Sequence, residues 1–195
     1  MSQRLSKNTF KTRNQIKESN DNCVTKINIF LVGSRKVGKT SLIFRYATNM
    51  FSETYFPTIG VDTKVVEVET HDGKRVAVTF WDTPGDDAVR QNSNKELYSR
   101  ASGFLLLYDV NNVESYNAVY DWMRLIENNA LENAQVVVIG NKTDLRDSNN
   151  PAITKDDGVH MASCYNAKFM ETSVYTKKNI NKTIKRMVTN ICNEK

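Results

Sequence analysis

Lys26-Ile-Asn-Ile-Phe-Leu-Val-Gly-Ser-Arg-Lys-Val-Gly-Lys-Thr40 is the stretch whose reading decides the fold. Its first seven residues form a mostly apolar run that stops at Gly33 and reads as a buried strand, and residues 40–47 read as a helix. Between them Gly33-Ser-Arg-Lys-Val-Gly-Lys-Thr40 fits the spacing GxxxxGK[ST], in the strand-before, helix-after setting that gives the pattern its meaning. Gly33 and Gly38 let the backbone curl so that its N–H groups point inward as an anion nest. The free N–H groups and dipole of the following helix add positive potential. Lys39 brings a mobile point charge to the outer phosphates of a nucleotide, and the Thr40 hydroxyl is a hard oxygen ligand suited to Mg²⁺. The expected phosphate contacts are therefore Ser34, Arg35, Lys36, Val37, Gly38, Lys39, Thr40 and Ser41.

Two further motifs lie downstream. Phe80-Trp81-Asp82-Thr83-Pro84-Gly85 ends a strand with a carboxylate able to hold Mg²⁺ through a water, and the Gly85 N–H is open to a terminal phosphate. Alone this DxxG element is weak; its value comes from its neighbours. Asn141-Lys142-Thr143-Asp144 follows the short apolar strand Val136–Ile139. A carboxylate at Asp144 accepts two hydrogen bonds from the N1–H and N2–H edge of guanine, whereas adenine would leave it unpaired, at about 1–3 kcal/mol or more.

Outward from these motifs the chain alternates strands and helices. Val61–Thr70 and Arg75–Trp81 flank His71-Asp72-Gly73-Lys74, a hairpin signal. Phe104–Tyr108 is nearly all apolar, as is usual for strands covered on both faces. Ser115–Ala130 reads as one amphipathic helix with Tyr116, Tyr120, Met123 and Ile126 on its inner stripe. Ile180, Ile184, Met187, Val188 and Ile191 repeat the pattern near the C-terminus. An α/β domain with a mostly parallel sheet follows, whose ligands bind beyond the carboxyl ends of the strands, where each motif falls.

Composition narrows the setting. The chain has 195 residues, enough for one domain, and a net charge of +5. Its three cysteines, Cys23, Cys164 and Cys192, are widely spaced and suggest neither a disulfide framework nor a zinc cluster, which favours a reducing, cytoplasmic setting. No apolar run reaches the roughly 18–20 residues of a membrane span, and the N-terminus carries neither a signal peptide nor a myristoylation glycine. Residues 1–25, with Arg4, Lys7, Lys11, Arg13 and Lys17 set against Glu18 and Asp21, read as a disordered basic arm, and a membrane or acidic partner is the alternative reading. His71 and His160 are isolated and read as surface residues. No basic, aromatic-interleaved face points to nucleic acid.

With these three motifs in order, the chain resembles the Ras superfamily of small GTPases, and Rab GTPases most closely, over residues 26–191. Ile59-Gly60-Val61-Asp62 is similar to the Rab IGVD signature, and Trp81 before the DxxG element is Rab-like. Tyr98-Ser-Arg-Ala101 with Gly103–Val110 is similar to the family's YRGA and central strand, and Glu171-Thr172-Ser173 to the ETS of the third base loop. The resemblance implies a P-loop G domain at residues 26–193, with a six-stranded, mostly parallel sheet and five helices. It implies GTP/GDP with Mg²⁺ as ligands and a switch whose two loops are ordered by GTP. Thr58 would reach Mg²⁺ and the γ-phosphate, joining Thr40 and Asp82 as metal residues; Thr58 and Gly85 would be the two tethers. Phe51 would pack on the base, beside Asn141, Lys142, Asp144, Ser173, Val174 and Tyr175. Effectors, an exchange factor and a GTPase-activating protein would meet a monomer at residues 51–62 and 82–98, and a Rab-like switch would serve vesicle trafficking.

Several residues depart from the family pattern. Asp86 stands where the family usually carries the water-orienting Gln, Asp87 follows where it has Glu, and Pro84 replaces Ala. Arg35 and Lys36 replace small residues on the phosphate loop. Among Asp86, Lys39 and Arg35, the catalytic candidates, only Lys39 is the usual residue, so slow intrinsic hydrolysis with intact binding is expected; the rival reading makes Arg35 a built-in arginine finger. Tyr175 cannot supply the charge of the lysine usual there, which predicts somewhat weaker affinity and faster exchange. Cys192-Asn-Glu-Lys195 fits a prenylation signal poorly, which leaves peripheral attachment to endomembranes open. A GTP-driven switch competes with a hydrolysis-defective nucleotide-binding interaction module; Asn141–Asp144 disfavours an ATPase or kinase.

Overall fold

The computed structural model describes residues 26–52, 54, 56–85 and 95–194. The basic arm at 1–25 and Asp86 lie outside the described residues. In chain order the elements are β1 (Ile27–Val32), α1 (Lys39–Thr48), β2 (Asp62–Glu69), β3 (Arg75–Asp82), α2 (Lys95–Tyr98), β4 (Gly103–Asp109), α3 (Val113–Asn117), α4 (Val119–Asn129), β5 (Gln135–Asn141), a 3-10 turn (Thr143–Leu145), α5 (Lys155–Ser163), β6 (Lys168–Glu171) and α6 (Ile180–Asn193). The strands form one sheet in the order β2-β3-β1-β4-β5-β6. Among the described strands only the β2–β3 pair is antiparallel. Its turn closes at Asp72-Gly73, with Thr70 N donating to Lys74 O at 2.9 Å and Gly73 at φ 82°.

Alternation along each strand sends its side chains to two cores. On β4, Leu105 and Leu107 face one side with Ile29, Leu31 and Phe80, where α1 and α6 contribute Leu42, Ile184, Met187 and Val188. Phe104, Leu106 and Tyr108 face the other, against Val119, Trp122, Met123 and Ile126 of α4 and Met161 of α5. Each fully buried aliphatic or phenyl side chain contributes about 1.5–3 kcal/mol. Both faces are therefore covered, as the all-apolar strands require.

The helix expected over Ser115–Ala130 is interrupted. It begins at Val113 behind the Asn112 cap, whose side chain accepts from Ser115 N at 2.6 Å, and is divided at Ala118. Counting α3 and α4 as one interrupted helix leaves five helices among the described residues, the number the resemblance implies. The buried residues of α4 are Val119, Trp122, Met123, Leu125 and Ile126. Tyr120 is 46% exposed rather than core, and its ring lies 6.2 Å from that of Tyr165. The stripe of α6 is buried throughout as read. No helix among the described residues is long and apolar enough to cross a membrane.

Candidate functional site

β1, β3, β5 and β6 end at one edge of the sheet, and their following loops enclose a cavity of about 1020 Å³. Its wall includes Arg35, Lys36, Gly38, Lys39, Thr40 and Ser41 from the phosphate loop and α1, Phe51 and Thr58 from the segment after α1, and Gly85 after β3. Asn141, Lys142, Asp144, Val174 and Tyr175 complete it. Four of the expected residues are not part of the wall: Val37, Asp82 and Ser173 are buried, and Ser34 offers its carbonyl to Lys39. Phe44, Ser52, Thr54, Phe56 and Leu145 also line the cavity; no motif marks them in the sequence.

The phosphate loop needs its glycines. Gly33 sits at φ 132°, and a Cβ there would lie 2.2 Å from Leu107 O; Gly38 sits at φ 99°. Lys39, only 6% exposed, donates from Nζ to Gly33 O at 2.8 Å and Ser34 O at 2.9 Å. Burial lowers its pKa to about 8, opposed by the charge of Asp82. Gly85 closes on the loop so tightly that a Cβ would stand 2.5 Å from Arg35 N and 2.6 Å from Lys39 Nζ.

Three oxygen groups converge below the loop. Thr40 Oγ1 donates to Asp82 Oδ2 at 2.6 Å, and Thr58 Oγ1 lies 3.0 Å from Thr40 Oγ1 and 3.4 Å from Asp82 Oδ2. Asp82 Oδ1 is buried without a hydrogen-bond partner, and burial raises the carboxyl pKa. Two hydroxyls and a carboxylate with one orphaned oxygen form a hard, all-oxygen donor set of the kind that suits Mg²⁺ directly or through water.

The base end is tied to the phosphate loop through Asn141. Its Nδ2 donates to Val37 O at 2.8 Å, and its Oδ1 accepts from Thr172 Oγ1 at 2.9 Å. Lys142, at φ 64°, pairs with Asp109 at 2.8 Å. Arg146 Nη2 stands 2.7 Å from Glu171 Oε1 and so links the two base loops, although neither atom has a well-directed hydrogen bond. The Asp144 carboxylate has no hydrogen bond or ion pair among the described residues and borders the cavity. Phe51 meets Tyr175 edge to face, ring centres 5.5 Å apart.

A glycine-turned loop between strand and helix, an oxygen triad and a carboxylate unpaired among the described residues, all around one cleft, define a P-loop domain. Residues 28–193 match the Ras family. The chain is 39% identical to rat "GTP-binding protein Rab-3D" over 166 residues, covering 85% of this chain and 74% of that one. Human "Ras-related protein Rab-3A" is 37% identical over 177 residues, covering 90% and 79%. Bovine "Ras-related protein Rab-3C" is 37% identical over 166 residues, covering 85% and 71%. The chain belongs to the Ras family and is a Rab-like small GTPase.

Proposed function

We propose that the chain binds GTP and GDP with Mg²⁺ and works as a Rab-like switch in vesicle traffic, with slow intrinsic hydrolysis. One observation carries the reading: Thr40 and Thr58, which share Asp82, line the same cavity as Asp144, whose carboxylate is unpaired among the described residues. The phosphate end and the guanine-reading carboxylate thus serve one ligand. In that reading Lys39 and the backbone from Ser34 to Ser41 hold the phosphates, and Thr40, Thr58 and Asp82 hold Mg²⁺. When bound, the metal neutralises phosphate charge. Asn141, Lys142 and Asp144, with Ser173, Val174 and Tyr175, frame the base. Effectors and regulators meet residues 51–62 and 82–98.

Slow turnover follows from three side chains. Asp86 lacks the amide donor that orients water; Arg35 lines the cavity where Gly85 presses on its amide; and Pro84, buried in the Asp82–Gly85 turn, fixes φ in a loop that a switch must move. The last feature also supports a second reading, a nucleotide-binding interaction module held in one state. Single-turnover GTP hydrolysis tests the first: a rate below that of ordinary Ras-family members, raised by Asp86→Gln, supports it. A parent rate equal to theirs overturns it. Protease sensitivity that is identical with GDP and a GTP analogue would favour the locked module.

A further inference from the structure

Tyr175 and the first residues after α1 form a strap that the three nucleotide motifs do not explain. Tyr175 is 58% exposed and Phe51 is 36% exposed, both on the cavity wall, with ring planes inclined by 80°. Two large rings left partly open to water at the mouth of a cleft offer an aromatic surface on which a flat base can pack. Behind them the backbone is latched. Arg45 on α1 donates from Nη1 to Asn49 O at 2.7 Å and from Nη2 to Tyr175 O at 3.3 Å. Lys177 Nζ donates to Asn49 Oδ1 at 2.6 Å. Asn49 and Lys177 both sit at positive φ, 60° and 65°, so each end of the latch is a sharp reversal rather than a drifting loop.

From this arrangement we propose that Tyr175 is a base-clamping residue: with Phe51 it forms a two-ring wall against the guanine, and the Arg45–Asn49–Lys177 latch holds the two rings together. The proposal rests on the guanine-nucleotide reading of the cavity and reverses the expectation of fast exchange drawn from the missing lysine. A ring contributes dispersion and quadrupole contacts to a base without needing a charge. The clamp also has a consequence for the switch segment. Asn49 and Phe51 begin the stretch that carries Thr58 to Thr40, so a seated base holds that stretch at its origin.

Release of fluorescent GDP from the Mg²⁺-loaded full chain tests the clamp, with hydrogen exchange of residues 49–52 in the same samples as a second readout. Tyr175→Ala is expected to speed release about tenfold or more, the scale of a lost base–aromatic contact, and to raise exchange at 49–52. Tyr175→Phe, which keeps the ring, is expected to retain slow release, and Tyr175→Lys to speed it. Release from Tyr175→Ala within twofold of the parent overturns the clamp while leaving the guanine reading standing. A parent chain that binds no guanine nucleotide overturns both.

Discussion

Asn141 Nδ2 donates to the carbonyl of Val37 at 2.8 Å, so the base motif after β5 is fastened directly to the crest of the phosphate loop after β1. The same side chain accepts from Thr172 Oγ1, and all three residues are buried. One amide therefore joins three loops from three strands. Asn141→Ala would leave the Val37 carbonyl and the Thr172 hydroxyl without partners, at about 2–4 kcal/mol together. Denaturant unfolding of the nucleotide-free chain is expected to register that loss, separately from any fall in affinity. Unchanged nucleotide-free stability would reduce Asn141 to a ligand contact.

The oxygen triad predicts a metal dependence. Thr40, Thr58 and Asp82 oxygens lie within 3.4 Å of their neighbours, with Asp82 Oδ1 orphaned. Mg²⁺ is expected to slow nucleotide release from the parent, and chelation to speed it. Asp82→Ala should abolish that difference. Release rates with and without chelator check this directly.

The half-buried pair Arg146–Glu171 holds the loop after β5 to the end of β6. Arg146→Met would strand the Glu171 carboxylate beside the Tyr108 ring, whose own ionisation burial and Glu171 oppose. Fully buried pairs lose about 3–5 kcal/mol when one partner goes; with both side chains slightly exposed, about 2–3 kcal/mol is expected. The double change Arg146→Met with Glu171→Leu should recover most of it. A thermal-melt cycle over the four proteins decides.

Two glycines separate strain from space. Gly33→Ala forces a positive φ and drives a methyl into Leu107 O, a strand carbonyl that cannot yield. A loss of about 3 kcal/mol or more is expected. Gly60→Ala meets nothing within 4 Å and should stay within about 0.5 kcal/mol of the parent. Equilibrium unfolding of both variants is the check.

Much of this architecture is legible in the sequence because it is local. The strand–loop–helix around Gly33–Thr40, the Asp72-Gly73 turn and the apolar runs of β4 and β5 each announce themselves in one continuous stretch. Helix α5 does not. It carries Gly158, which fits there because a Cβ would meet the Phe169 ring at 2.3 Å, and its exposed Val159 blurs the apolar stripe. Its start is marked only by the Thr154–Asp157 capping box. The edge strand β6, four residues paired on one side, is too short to show a period. Tyr120 misleads because one step of sequence turns a helical residue from the core to the surface. Within the cavity the motif residues are legible, whereas the Asn141–Val37 bond spans 104 positions and becomes visible only when the strands are laid side by side.

Asp144 borders the cavity with a carboxylate that no group among the described residues engages, and the account turns on what it reads. The most direct measurement is competition between GDP and ADP for the purified, Mg²⁺-supplied chain, repeated with Asp144→Ala. The account predicts a preference for GDP of at least about 10³-fold, collapsing to a few-fold in the variant. Equal affinity of the parent for the two diphosphates would contradict it.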